Sequence, residues 1–210
     1  MRDNALWVLA HPDAASLSGH LRDVGVSALR DNGWEVVESD MYRMRWDPLL
    51  FTGDTDGERA AQVRAEQRKL RDADLVVLQF PLWWDGMPAI LKGWVDRVFE
   101  SGFAYHVPDP ATGRMLKYGR GGLEGRRALA VVTAGDRAGS LTPRGISGSI
   151  DDVLWPLLHG PSGTRACCRS GRIWSPMPTP STPSTPPTST ARSWTGSHAS
   201  RTRTRSSTCR

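Results

Sequence analysis

The sequence predicts an α/β domain built on a doubly wound parallel sheet, and three observations carry that prediction. Apolar runs of strand length at 5–10, 34–38, 74–80 and 127–133 alternate with segments of helical period. The third run, DLVVLQF, has Val and Leu on both faces, as a central parallel strand covered from each side does. Right-handed crossovers between such strands then favour helices on both faces of one sheet.

The first strand, Ala5 to Ala10, leads into the loop His11-Pro12-Asp13-Ala14. A helix starts near Ser16, because Leu17, Leu21, Val24 and Ala28 recur at helical spacing and Asn32–Gly33 is a stop signal. Trp34 to Glu38 is the second strand. A long loop, Asp40 to Thr55, precedes a charged helix over about 56–71. Pro81 has no amide hydrogen and is expected to end the pairing of the central strand. Pro88 suits a first helical turn. Behind it Ile90, Leu91, Trp94, Val95 and Val98 form an inward stripe, with Lys92, Asp96 and Arg97 expected to face water. Arg127 to Thr133 is the fourth strand, and Ile150, Val153, Leu154 and Leu157 mark a last helix.

The loop PLWWDG leaves the carboxyl end of the central strand, where open α/β sheets bind ligands. Two adjacent Trp residues there offer a flat apolar surface to a planar ligand, or else pack over the following helix. LQFPLWWDGMPAILKGWVDRVF, the GFAY of Gly102 to Tyr105 and, upstream, MYRMRWDPLL resemble the flavodoxin-like NAD(P)H:quinone dehydrogenase family. More loosely, the resemblance runs from about Ala5 to Gly160.

That resemblance implies strand order 2-1-3-4-5 and a bound flavin, FAD first and FMN second. It also implies NAD(P)H as hydride donor, a quinone or similar flat acceptor, and a homodimer. His11, Leu17 and Ser18 would hold the pyrophosphate; taken alone, His11 reads first as a loop histidine bonded to backbone, and the motif context reverses that order. The resemblance places Pro81, Leu82, Trp83, Trp84 and Asp85 along the flavin ring and ribityl chain, with Trp84 over the nicotinamide or quinone site. Thr133, Ala134, Gly135 and Asp136 would form a second flavin loop, and Tyr105 would enter a substrate pocket across the dimer. The chain departs from the family at three places: Asp136 replaces a Gly, Leu141 a Tyr, and Ser147 a His found in some members. No side chain is assigned as catalytic, because the flavin carries the chemistry. An alternative is a flavin-binding regulatory subunit or electron carrier, or a product without function.

The formal net charge of +5 misleads, because residues 161–210 hold eight Arg and no acidic residue. The remainder carries 19 basic against 22 acidic side chains, which argues against a nucleic-acid partner. No apolar stretch approaches the roughly 18–20 residues of a membrane span, and the first residues lack the pattern of a secretory signal. Cys167, Cys168 and Cys209 all lie late in the chain, show no metal-ligand spacing, and leave a cysteine-free core that suits the cytoplasm.

From Pro161 the composition turns to Pro, Ser, Thr and Arg, without Leu, Val, Asp or Glu. The domain is therefore expected over 1–160, its fifth strand missing, with 161–210 a disordered low-complexity tail. A second reading is a slipped reading frame just after Gly160. Codons made from the last base of one residue and the first two of the next turn Met177–Pro178 into Ala, Trp194–Thr195 into Asp, and Trp174–Ser175 (with a TCN codon) into Val. PSGTR becomes compatible with LWYTG, which is close to the family at this point. A domain without its fifth strand would expose an edge and apolar surface, and be of reduced stability.

Overall fold

The computed structural model of the chain describes residues 3–51, 57–115, 121–137, 139–159 and 167–176. The chain divides into a unit Met1–Thr179 and a unit Pro180–Arg210, the second lying outside the described residues. The elements alternate as the apolar runs require: β1 (Asn4–Leu9), α1 (Leu17–Asp31), β2 (Glu35–Asp40), α2 (Gly57–Asp72), β3 (Leu75–Pro81), α3 (Ala89–Val98), β4 (Arg126–Ala134), α4 (Ile150–His159) and β5 (Cys167–Pro176). All pairings are parallel, in the order β2-β1-β3-β4-β5.

Two outcomes at strand ends differ from expectation. The fifth strand expected to be missing is present, as Cys167–Pro176 pairs with β4 along its length. Pairing is a backbone property, and these ten residues contain no proline before the last, so the open edge of β4 accepts them. The disordered tail expected over the rest of 161–210 falls outside the described residues. Pro81 is the last rung of β3 opposite Thr133, and Leu82 N–H continues the ladder to Thr133 O at 2.7 Å.

The alternation of side chains across the sheet builds two cores. On one face Leu6, Val8, Val76, Leu78, Phe80 and Val132 pack against Val63 and Leu70 of α2, Leu91 and Trp94 of α3, and Leu154 and Leu157 of α4. On the other, Trp7, Leu9, Val77 and Val131 meet Val26 and Leu29 of α1. Among the described residues α1 is the one helix on that face. Its apolar stripe therefore only half closes: Val24 is 53% exposed, and Leu21, Val24 and Ala28 border an apolar groove of about 520 Å³ floored by Leu75, Val77, Leu129 and Val131.

Arg97 corrects a third expectation. It is buried rather than facing water, donating to Asp47 O at 2.6 Å with its guanidinium over the Trp46 ring. The loop after β2 folds back over α3 and supplies that carbonyl. Gly93 permits the approach, since a Cβ there would lie 2.2 Å from Pro48 O.

Candidate functional site

β1 and β3 are neighbours whose following connections run to opposite sides, so the carboxyl ends of these strands open a crevice at the switch point. A cleft of about 340 Å³ lies there, lined by His11, Ser16, Leu17 and Ser18 from the first loop and helix. Pro81, Leu82 and Trp83 after β3 and Thr133, Ala134 and Gly135 at the end of β4 complete it. Nine residues that the sequence pointed to thus converge from three separate segments.

The first wall is fixed by capping. Ser16 is the N-cap of α1, its Oγ accepting from Gly19 N–H at 3.2 Å and donating to Asp13 O at 2.6 Å. His11 Nδ1 lies 2.9 Å from Asp13 O, 3.1 Å from Asp13 N and 3.0 Å from Ser16 Oγ, so the loop engages this nitrogen in either tautomer. One ring nitrogen of His11 thus serves the loop while the ring lines the cleft. The Leu17 and Ser18 amides belong to the first helical turn, where no intrahelical acceptor exists, and the positive end of α1 favours an anion. Gly19 sits against the loop so closely that a Cβ would lie 1.9 Å from Ala14 O. Gly19→Ala is expected to displace this loop, cost about 1–3 kcal/mol in a urea melt, and weaken binding of a phosphate-bearing ligand more than of its dephosphorylated form.

Beneath the cleft runs a buried polar chain that the sequence reading missed. Trp7 Nε1 donates to Gln79 Oε1 at 2.7 Å, and Gln79 Nε2 donates to Ser18 O at 2.6 Å. Ser18 Oγ and Thr133 Oγ1 are hydrogen-bonded at 2.9 Å. The chain joins β1, β3, the start of α1 and β4 where they meet the cleft, with Ser18, Gln79 and Thr133 all buried. A lone Gln inside an apolar strand is the signal that could have found it, because a buried amide requires partners.

The double-tryptophan loop is a two-residue hairpin. Trp83 and Gly86 exchange backbone hydrogen bonds at 3.0 Å in both directions, and Trp84 and Asp85 take left-handed φ values of 50° and 55°. Neither Trp is buried: Trp83 is 42% exposed with its side toward the cleft, and Trp84, at the tip, is fully exposed. Left-handed backbone is unusual for Trp and costs on the order of 1 kcal/mol.

Other residues implied by the resemblance do not line the cleft. Trp84 and Asp85 stand on the hairpin tip, and Tyr105 is half-exposed with its ring edge-on to His106. Asp136 follows Gly135 but turns to Ser147, whose Oγ donates to its Oδ2 at 2.7 Å. Leu141 is buried. No cluster of metal-ligating side chains occurs among the described residues, and no helix among them is long and apolar enough to cross a membrane.

An open parallel sheet with its cleft at this switch point is the flavodoxin type of α/β protein. The sequence profile of the family described as having a flavodoxin-like fold matches residues 3–163. A ribosyldihydronicotinamide dehydrogenase-like protein of Penicillium crustosum is 42% identical, over 74% of this chain and 66% of its own length. NAD(P)H dehydrogenase [quinone] 1 of Rattus norvegicus is 36% identical, over 74% of this chain and 62% of its own. The chain thus spans just under two thirds of the length of these two curated relatives. A solved Klebsiella pneumoniae protein assigned as a quinone reductase is 38% identical with a TM-score of 0.70, over 82% of this chain and 75% of that one. The chain belongs to the flavodoxin-like NAD(P)H:quinone dehydrogenase family.

Proposed function

We propose that the cleft between His11 and Gly135 binds a flavin and that the chain is an oxidoreductase, passing two electrons from NAD(P)H to a quinone or similar flat acceptor. The observation that carries this reading is the composition of one crevice. A helix amino end with the His11 loop forms one wall, and the apolar Pro81–Trp83 segment and the Gly135 backbone form the other. The donor set suits a molecule with an anionic end and a flat apolar end.

When bound, the flavin supplies the hydride chemistry. The residues do the rest. His11 and the Leu17 and Ser18 amides hold the phosphate end, most favourably that of FAD, with FMN second. Leu82 and Trp83 wall the ring and exclude water. Gly135 leaves room for backbone to approach, since nothing lies within 4 Å of where its Cβ would stand. Trp84, carried outward by the hairpin, offers a face for the nicotinamide or quinone to stack on, with Tyr105 reaching a neighbouring copy's site in a homodimer. Leu141 cannot donate a hydrogen bond, so turnover is expected to fall about 10²-fold below that of a Tyr-bearing relative. We place the protein in the cytoplasm, since no cysteine occurs before Cys167 at the start of β5.

The test is a visible spectrum of the purified protein, then titration with FAD and FMN and assay of NADH- and NADPH-dependent quinone reduction. A yellow protein that turns over supports the reading, colour without turnover favours an electron carrier, and no uptake of either flavin overturns it. Within that assay, Trp84→Gly is expected to leave flavin affinity and melting temperature nearly unchanged while raising KM for the flat acceptor about 3–10-fold.

A further inference from the structure

Two of the three departures from the family pattern touch each other. Asp136 and Ser147 stand at the two ends of one loop, and Ser147 Oγ donates to Asp136 Oδ2 at 2.7 Å. Arg137 N–H donates to Asp136 Oδ1 at 2.9 Å, and Ser147 N–H donates to Ser140 O at 3.1 Å. Both carboxylate oxygens are therefore fixed and the neck of the loop is tied. Hydrogen bonds from Ser147, Ser140 and the Arg137 amide hold this carboxyl below the usual carboxylate range.

The placement matters because the cleft has little charge of its own. Of the described residues lining it only His11 bears a titratable side chain. Asp136 follows directly on Gly135, the lining residue just after β4, so a negative charge stands one residue beyond the wall. Ser147 spends its one proton on Asp136 and has none left to donate elsewhere. The neighbouring Arg137 is exposed, and its charge acts on the Asp136 carboxyl less than the hydrogen bonds do.

We infer that Asp136, oriented by Ser147, makes the site a reluctant electron store: its fixed negative charge disfavours the charge a flavin gains on reduction. The inference rests on the flavin reading above. A neutral loop would bind reduced flavin more tightly relative to oxidised flavin. The carboxylate is expected to shift that ratio by about tenfold. Reduction by a nicotinamide becomes less favourable and delivery to the acceptor more so, which suits an acceptor of low potential. Asp136 acts on the flavin through space, and Ser147 is a positioning residue that acts through Asp136.

The experiment is spectroelectrochemical titration of the flavin-loaded full chain beside Asp136→Asn, Ser147→Ala and Ser147→Thr, with the affinity for oxidised flavin measured in parallel. Asp136→Asn is expected to raise the ratio of reduced- to oxidised-flavin affinity about tenfold, equivalent to about 30 mV for a two-electron couple. That shift should shrink in 1 M salt, where the screening length is about 3 Å. Ser147→Ala should move the potential the same way by less, and Ser147→Thr, which keeps the hydroxyl, should restore it. A yellow Asp136→Asn protein with an unmoved potential overturns the inference alone. A wild-type chain that takes up no flavin overturns it together with the reading it rests on.

Discussion

Gln79→Leu is expected to lower unfolding stability by about 3 kcal/mol and to take flavin affinity with it. Gln79 is fully buried in β3 and satisfies two groups from other elements, the Trp7 indole N–H and the Ser18 carbonyl. Leu fills similar volume but leaves both groups without partners, and each orphan costs about 1–3 kcal/mol. For a domain of this size that corresponds to a loss of about 6–12 °C in Tm. The effect on binding follows from Ser18, which carries one of the first α1 amides and whose hydroxyl is bonded to Thr133. Gln79→Glu separates the two roles, because it keeps the acceptor for Trp7 but replaces the donor to Ser18 with a carboxylate oxygen. It is expected to fall between wild type and Leu in a thermal melt at pH 5, and toward Leu at pH 8. A Gln79→Leu protein that melts within 2 °C of wild type would sink this account.

The second large effect concerns the face on which α1 is the one helix among the described residues. Leu75, Val77, Leu129 and Val131 floor a groove whose rim is Leu21, Val24 and Ala28. A parallel sheet is ordinarily covered on both faces. The chain as written is therefore expected to bind a hydrophobic dye and to melt low for its size. A gene shifted by one base just after Gly160, so that the downstream Pro/Ser/Thr codons read in the frame containing Val, Ala and Asp, is expected to remove both properties. Burying roughly 200 Å² of apolar surface contributes about 5 kcal/mol, or about 10–20 °C in Tm. Dye fluorescence and a calorimetric scan of the two proteins side by side make the comparison. If the shifted version binds as much dye and melts no higher, the slipped-frame reading of 161–210 is wrong.

The strands and helices up to α4 were legible because each is announced by local period and by its own stop signals, as Asn32–Gly33 announces the end of α1. The cleft was legible because its lining residues sit in short segments at strand ends, where topology alone brings them together. What escaped was set by distant partners. Gln79 looks like an interruption of an apolar run until Trp7 and Ser18, far off in the chain, are placed beside it. Arg97 lies on the edge of the α3 stripe, and only the returning loop at Asp47 makes it an inside residue. Trp84 was read as the face of the pocket, yet its direction depends on two left-handed residues that the letters WWDG do not specify. β5 was missed because composition describes side chains, whereas the edge of β4 recruits backbone.

Among the described residues three helices lie on one side of the sheet and one on the other, which makes the domain's resistance to amide hydrogen exchange lopsided. Where α3 and α4 seal β3 and β4, exchange of their amides requires opening of the whole domain. From the α1 side, a breathing motion of one helix is enough to wet the same two strands. Their protection should therefore track the docking of α1, and a cofactor gripping the first turn of that helix would slow exchange deep in the sheet without touching it.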